Sequence, residues 1–146
     1  GFVFGDIHAA LAYGACGDEA ALAKLIDSLT ALAAKGHPIA GSVAIPLIRG
    51  TAAFAAGDYA GALTHLEPVD LMRPALDGMY RMGGSHAQWE IFEETMVISH
   101  LKLGQPADAA KLLNRRLSRR SSPRDLQWLK QAESAATEAT GTEKSA

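Results

Sequence analysis

A chain of 146 residues suits one domain, and a net charge of −2 gives no global field toward nucleic acid or an anionic membrane surface. Aromatic residues make up only 6%, alanine and leucine dominate, and β-branched runs are missing, which favours closely packed helices over sheet. The single cysteine, Cys16, has no disulfide partner in the chain, and no segment approaches about 18 consecutive apolar residues, so no membrane span is expected and a reducing, cytoplasmic setting is.

In chain order, Gly1-Phe2-Val3-Phe4-Gly5 is apolar but meets Asp6 and His8 at once, without the basic start of a signal peptide. The abrupt beginning without methionine reads as a fragment of a longer chain. A first helix is expected from about Val3 to Cys16, with Ile7, Leu11 and Ala15 on one face and Ala10 and Tyr13 beside them. Gly17-Asp18 then supplies a stop and the cap of the next helix. The second helix carries Leu22, Leu25, Ile26, Leu29 and Leu32 and ends at Gly36 and Pro38. A third spans roughly Ala40 to Ala56 with Pro46 in its first half. Gly57-Asp58-Tyr59 repeats the earlier joint, and a fourth carries Ala62, Leu63 and Leu66 to Pro68.

From Val69 to Gly84 the period is broken by Pro74, Gly78, Gly83 and Gly84, with Met72, Met79, Tyr80 and Met82 outside any helical stripe. Ser85 with Gln88 then forms a capping box for the fifth helix, His86 to Leu103. Its stripe is Trp89, Phe92, Met96, His100 and Leu103. Ile91, Ile98 and Leu101 add a second apolar face, as in a helix held between layers. Gly104-Gln105-Pro106 is a third joint. The sixth helix carries Ala109, Leu112, Leu113 and Leu117, and Ser122-Pro123-Arg124-Asp125 opens a seventh with Leu126, Leu129, Ala132 and Ala136. The tail, 140–146, has nothing to bury and is expected to be disordered, leaving a domain over 1–139.

The joints at Gly17, Gly57 and Gly104 recur at intervals of 40 and 47 residues, each between two helices. That is the pattern of a helix-hairpin array. The middle unit resembles a tetratricopeptide repeat: Gly50, Gly57-Asp58-Tyr59, Ala62, Leu66 and Pro74 stand at that repeat's Gly, loop, Ala, aliphatic and closing Pro positions. Arg49 replaces its leucine and Val69 its second small residue. Tyr13 fits in the first unit, where Leu22 stands at the small-residue position, and Ala109 fits in the last. The expected fold is therefore all-α, a degenerate TPR-like helix-hairpin array of about seven helices.

A wider resemblance rests on Asp6-Ile7-His8-Ala9-Ala10-Leu11-Ala12-Tyr13, on Gly17-Asp18-Glu19-Ala20-Ala21-Leu22, and above all on Tyr80-Arg81-Met82-Gly83-Gly84-Ser85-His86-Ala87-Gln88 with Phe92-Glu93. These are similar to the C-terminal part of the tetratricopeptide repeat protein 38 family, which commonly has Arg-Asp where this chain has Trp89-Glu90. The resemblance implies an all-α repeat scaffold in a longer protein and no established activity.

The candidate binding residues are His8, Arg81, Gly84, Ser85, His86, Gln88 and Glu90. His86, Glu90 and Glu93 share one helix face, and a metal would need His8 or His65 in addition. No His-Glu-x-x-His or Glu-x-x-His pair exists, so a capped helix with an acidic start is the better account, and no metal or cofactor is expected. Arg81, Gly83, Gly84 and the following helix start form an anion cradle in outline, though Glu90 already complements the dipole. His100 reads as a hydrogen-bonded core histidine. Arg115, Arg116, Arg119, Arg120 and Arg124 read as a solvated helix end, with too few aromatics nearby for nucleic-acid binding. No catalytic residue is assigned: Cys16 has no histidine near it in sequence, no Gly-x-Ser-x-Gly occurs, and Asp6 and His8, two apart, do not share a helix face.

Two functions follow. The favoured one is a non-catalytic scaffold that holds a protein, a peptide or its own sister chain, with a homodimer formed through the apolar first helix. The alternative is a small-molecule-binding or enzyme domain whose pocket lies near residues 70–90, closed by the methionine-rich segment beside His8 and His86.

Overall fold

A computed structural model describes residues 3–71 and 86–143, and all regular structure among them is helical, with no strand. The helices are α1 (Val3–Cys16), α2 (Glu19–Ala34), α3 (Ile45–Ala55), α4 (Tyr59–Leu66), α5 (His86–Lys102), α6 (Pro106–Leu117) and α7 (Pro123–Glu143). They form an all-α array divided into two compact units, residues 1–95 and 96–146, with the boundary inside α5.

In the first unit α3 packs against α1, α2 and α4. Its Leu47 and Ile48 are wholly buried, as are Ile7 of α1 and Ala62 of α4, with Leu29 and Leu66 nearly so. The joints explain how the helices double back. At Gly17 (φ 69°) the Gly17 N–H donates to the Gly14 carbonyl and the Asp18 N–H to Tyr13. At Gly57 (φ 79°) the corresponding bonds run to Phe54 and Ala53. This is the left-handed glycine stop that only a residue without Cβ adopts at low cost. The next residue is already the cap of the following helix: Asp18 Oδ1 accepts from the Ala21 N–H at 3.0 Å, and Asp58 Oδ1 from the Gly61 N–H at 2.8 Å. Stop and start share adjacent residues, so each pair closes as a tight hairpin. Phe54 and Tyr59 bridge the second joint edge to face, with ring centroids 5.7 Å apart.

Pro46 does not break its helix. Residues Ala40–Ala44 form a π-helical turn leading straight into α3, with the Ala44 N–H bonded to the Ile39 carbonyl and the Ile45 N–H to Ala40. Proline has no N–H to give and crowds the carbonyl four residues back, and the wider π turn accommodates this just ahead of it.

Helix crossings depend on small residues. A Cβ on Gly50 would lie 2.5 Å from Leu66 Cγ and 3.2 Å from the Ala62 carbonyl oxygen. Gly50→Ala is expected to cost about 1–3 kcal/mol by forcing α3 and α4 apart. Chemical denaturation measures this, and an unchanged midpoint would mean the crossing is loose. A Cβ on Gly14 would instead meet Ala55 Cβ at 3.6 Å, an ordinary contact. Gly14→Ala is thus expected to stabilise by about 0.5–1 kcal/mol through helix propensity alone; a lowered melting temperature would show that α1 and α3 sit closer than that distance allows.

Several sequence expectations need correction. The inner stripe of α1 is Ile7 and Ala10, while Leu11 is half-buried and Ala15 exposed. The second apolar face expected on α5 is not inward: Ile91 and Leu101 are exposed, and the buried arc runs Phe92, Glu93, Thr95, Met96, Val97, Ser99 and His100. Polar residues are tolerated inside when partnered, as Thr95 is by donating to the Ile91 carbonyl at 2.8 Å. Finally, α7 continues to Glu143, so 140–143 are helical.

Candidate functional site

The second unit is built on Val97, Ala109, Leu113 and Ala132, with Leu112, Trp128 and Leu129 packed against them. Its opening joint differs from the other two. Gly104 (φ 68°) makes the same stop, with the Gln105 N–H donating to the His100 carbonyl at 2.8 Å, but no side chain caps α6. Gln105 uses its side chain elsewhere: Oε1 lies 2.8 Å from His100 Nδ1. His100, 6% exposed, is thus the hydrogen-bonded core histidine expected. Pro106 at the helix start needs no N–H partner, which makes the missing cap less costly. On the exposed face of α6 the Lys111 ammonium, 2.8 Å from Asp108, holds that carboxyl below its usual range.

On α6 the inward stripe is Ala109, Leu113 and then Arg116, at steps of four and three. Arg116 takes the place of a core aliphatic residue and is only 1% exposed. Opposite it stands Asp125, fully buried in the first turn of α7. Arg116 Nε donates to Asp125 Oδ2 at 3.1 Å and Nη2 to Oδ1 at 3.4 Å, a two-pronged pairing. Ser122 fixes the aspartate from behind, its hydroxyl accepting the Asp125 N–H at 3.2 Å. The carboxylate also faces the positive end of the α7 dipole. Two further guanidinium groups approach it, Arg120 at 3.9 Å and Arg124 at 3.8 Å. Arg124 also lies 5.1 Å over the Trp128 ring, a cation–π contact.

The arginines are therefore not simply a solvated helix end. Arg116 is a core residue, and Arg120 and Arg124 are organised around the aspartate it holds. On α7, Asp125 occupies the buried position expected for Leu126, which is 45% exposed. The available sequence signal was the stripe itself, since an arginine seven residues after Ala109 must point inward on a regular helix. A pattern of apolar residues alone passes over it. Three guanidinium groups thus gather around one buried carboxylate.

Of the residues assigned to binding from sequence, Arg81, Gly84 and Ser85 lie outside the described residues. The α5 helix begins at His86, directly after Ser85. Gln88 is exposed, Glu90 and His8 are partly buried, and each of the three has an interaction partner. Glu93 is buried. Among the described residues, no three His, Cys, Asp or Glu side chains converge as a metal site. Cys16 is exposed at the end of α1. No helix of the described residues is long and apolar enough to cross a membrane. No protein-family model, curated protein or solved structure matches the chain.

Proposed function

We propose that this chain is a non-catalytic helical-repeat scaffold of the degenerate tetratricopeptide kind that binds a protein or a peptide in the cytoplasm. The observation that supports it is the repeated hairpin: α1–α2 and α3–α4 are joined by the same glycine stop and aspartate cap, and α1 and α3 pack on one another. Stacked hairpins of this type create extended surfaces whose side chains vary while the joints stay fixed. The resemblance to the tetratricopeptide repeat protein 38 family, carried by the 80–88 block, belongs to the same reading. The alternative, a small-molecule or enzyme pocket, depends on a segment of which 72–85 lie outside the described residues.

A displayed library of random peptides, panned on the purified chain, tests the scaffold. Saturable binding of one peptide class is expected; failure to enrich any class, with a small molecule retained in native mass spectrometry, would replace the scaffold with the pocket. Self-association through α1 is part of the proposal. Light scattering on the chain and on a Phe2→Ser, Phe4→Ser variant is expected to show a dimer that the variant loses, and a monomer in both removes that part.

A further inference from the structure

The net charge of −2 conceals a division. Residues 1–95 hold five Lys and Arg against eleven Asp and Glu, a balance of −6, whereas residues 96–146 hold nine against five, a balance of +4. Within the second unit the excess is local: residues 111–130 contain seven cations, five of them arginine, and Asp125 as the one acid. Such asymmetry points to a charged partner even when the whole chain is nearly neutral.

We propose that the arginine rim at the α6–α7 corner docks an acidic segment of a partner protein. This rests on the scaffold reading above and gives it a location and a partner chemistry. Arg115, Arg119, Arg120 and Arg124 are all exposed. Two of them are also oriented from below. Arg120 and Arg124 lie within 4 Å of the buried Asp125 carboxylate while their side chains remain 41% and 53% exposed. A guanidinium already oriented by a buried anion loses less conformational freedom on binding a second one. Arginine forks match carboxylates in paired hydrogen bonds, and Arg116 with Asp125 shows that pairing inside the unit itself.

Nucleic acid fits less well. Single strands need aromatic faces on which bases stack. Trp128 is the one aromatic residue in 96–146, and Arg124 lies over its ring at 5.1 Å. An acidic peptide requires no such platform.

The test uses the full chain and a fluorescein-labelled glutamate-rich peptide of a dozen residues, with a glutamine-for-glutamate peptide as control, read by anisotropy. The acidic peptide is expected to bind and the control not, with affinity falling about tenfold between roughly 0.05 M and 0.3 M salt. Arg115→Glu with Arg119→Glu, and separately Arg120→Gln with Arg124→Gln, are each expected to weaken binding about tenfold, while Lys24→Glu with Lys35→Glu in the first unit changes it less than about twofold. Circular dichroism checks each fold, and either arginine pair that keeps its helicity decides the test if the other destabilises the unit. No binding at low salt, or binding indifferent to both arginine pairs, overturns the proposal. So does tighter binding of a duplex oligonucleotide, or salt-sensitive oligomers of the chain that the arginine variants dissolve. A chain that enriches neutral library peptides but ignores the acidic probe loses this docking site and keeps its scaffold role.

Discussion

Asp125→Ala is expected to destabilise the second unit by about 3–5 kcal/mol, because it removes the carboxylate that the buried Arg116 guanidinium pairs with on two sides. The cap is not at stake, since the Ser122 hydroxyl accepts from the backbone of residue 125 whatever its side chain. Replacing both partners, as Arg116→Met with Asp125→Leu, is expected to cost within about 1 kcal/mol of nothing, or to stabilise, since it removes two desolvated charges and restores an apolar stripe. Urea unfolding followed by Trp128 fluorescence in a Trp89→Phe background isolates this unit from the first. If the single and double variants lose the same stability, the pair is not the determinant and the loss comes from repacking. The double variant also discriminates function: it should keep the fold while loosening Arg120 and Arg124, and so weaken the proposed docking without unfolding the unit.

The second large effect is Phe92→Ala, expected to cost about 3–5 kcal/mol. Phe92 is wholly buried on α5, and its deletion leaves a void the size of a ring. Its neighbour Trp89, with ring centroids 5.8 Å apart, is only partly buried. Trp89→Ala is therefore expected to cost clearly less, although tryptophan is the larger side chain. Paired denaturation curves decide it. An equal loss from both variants would place Trp89 in the core with Phe92, and a loss below about 1 kcal/mol for Phe92→Ala would mean the surrounding side chains collapse into the void.

The scaffold and docking proposals attach to different parts of the chain. The hairpin joints set the architecture of the first unit, while the basic corner lies in the second. Substitutions at Gly50 or Phe92 should therefore reduce stability without changing preference for acidic peptides. Charge reversals at Arg115 and Arg119 should do the opposite.

The amino-acid sequence by itself determined the helices and, except at the end of α7, where they stop. Gly17, Gly57 and Gly104 sit at positive φ because a left-handed stop is a local backbone requirement, and Asp18 and Asp58 cap because the acceptor and its donor are three residues apart. Such signals act within one turn and are legible without the rest of the chain. The candidate site was not legible in that way. Arg116 and Asp125 lie on different helices, and each has a local role that accounts for its presence, one as a cation near a helix end and the other in a first turn. Only the packing of α6 on α7 brings their side chains into a shared interior, where desolvation makes pairing obligatory and turns Leu126 outward. The same holds for α5, whose evenly spread apolar residues define no single buried face: burial of Glu93, Ser99 and His100 in preference to Ile91 and Leu101 is set by which neighbours surround the helix, and periodicity carries no information about that.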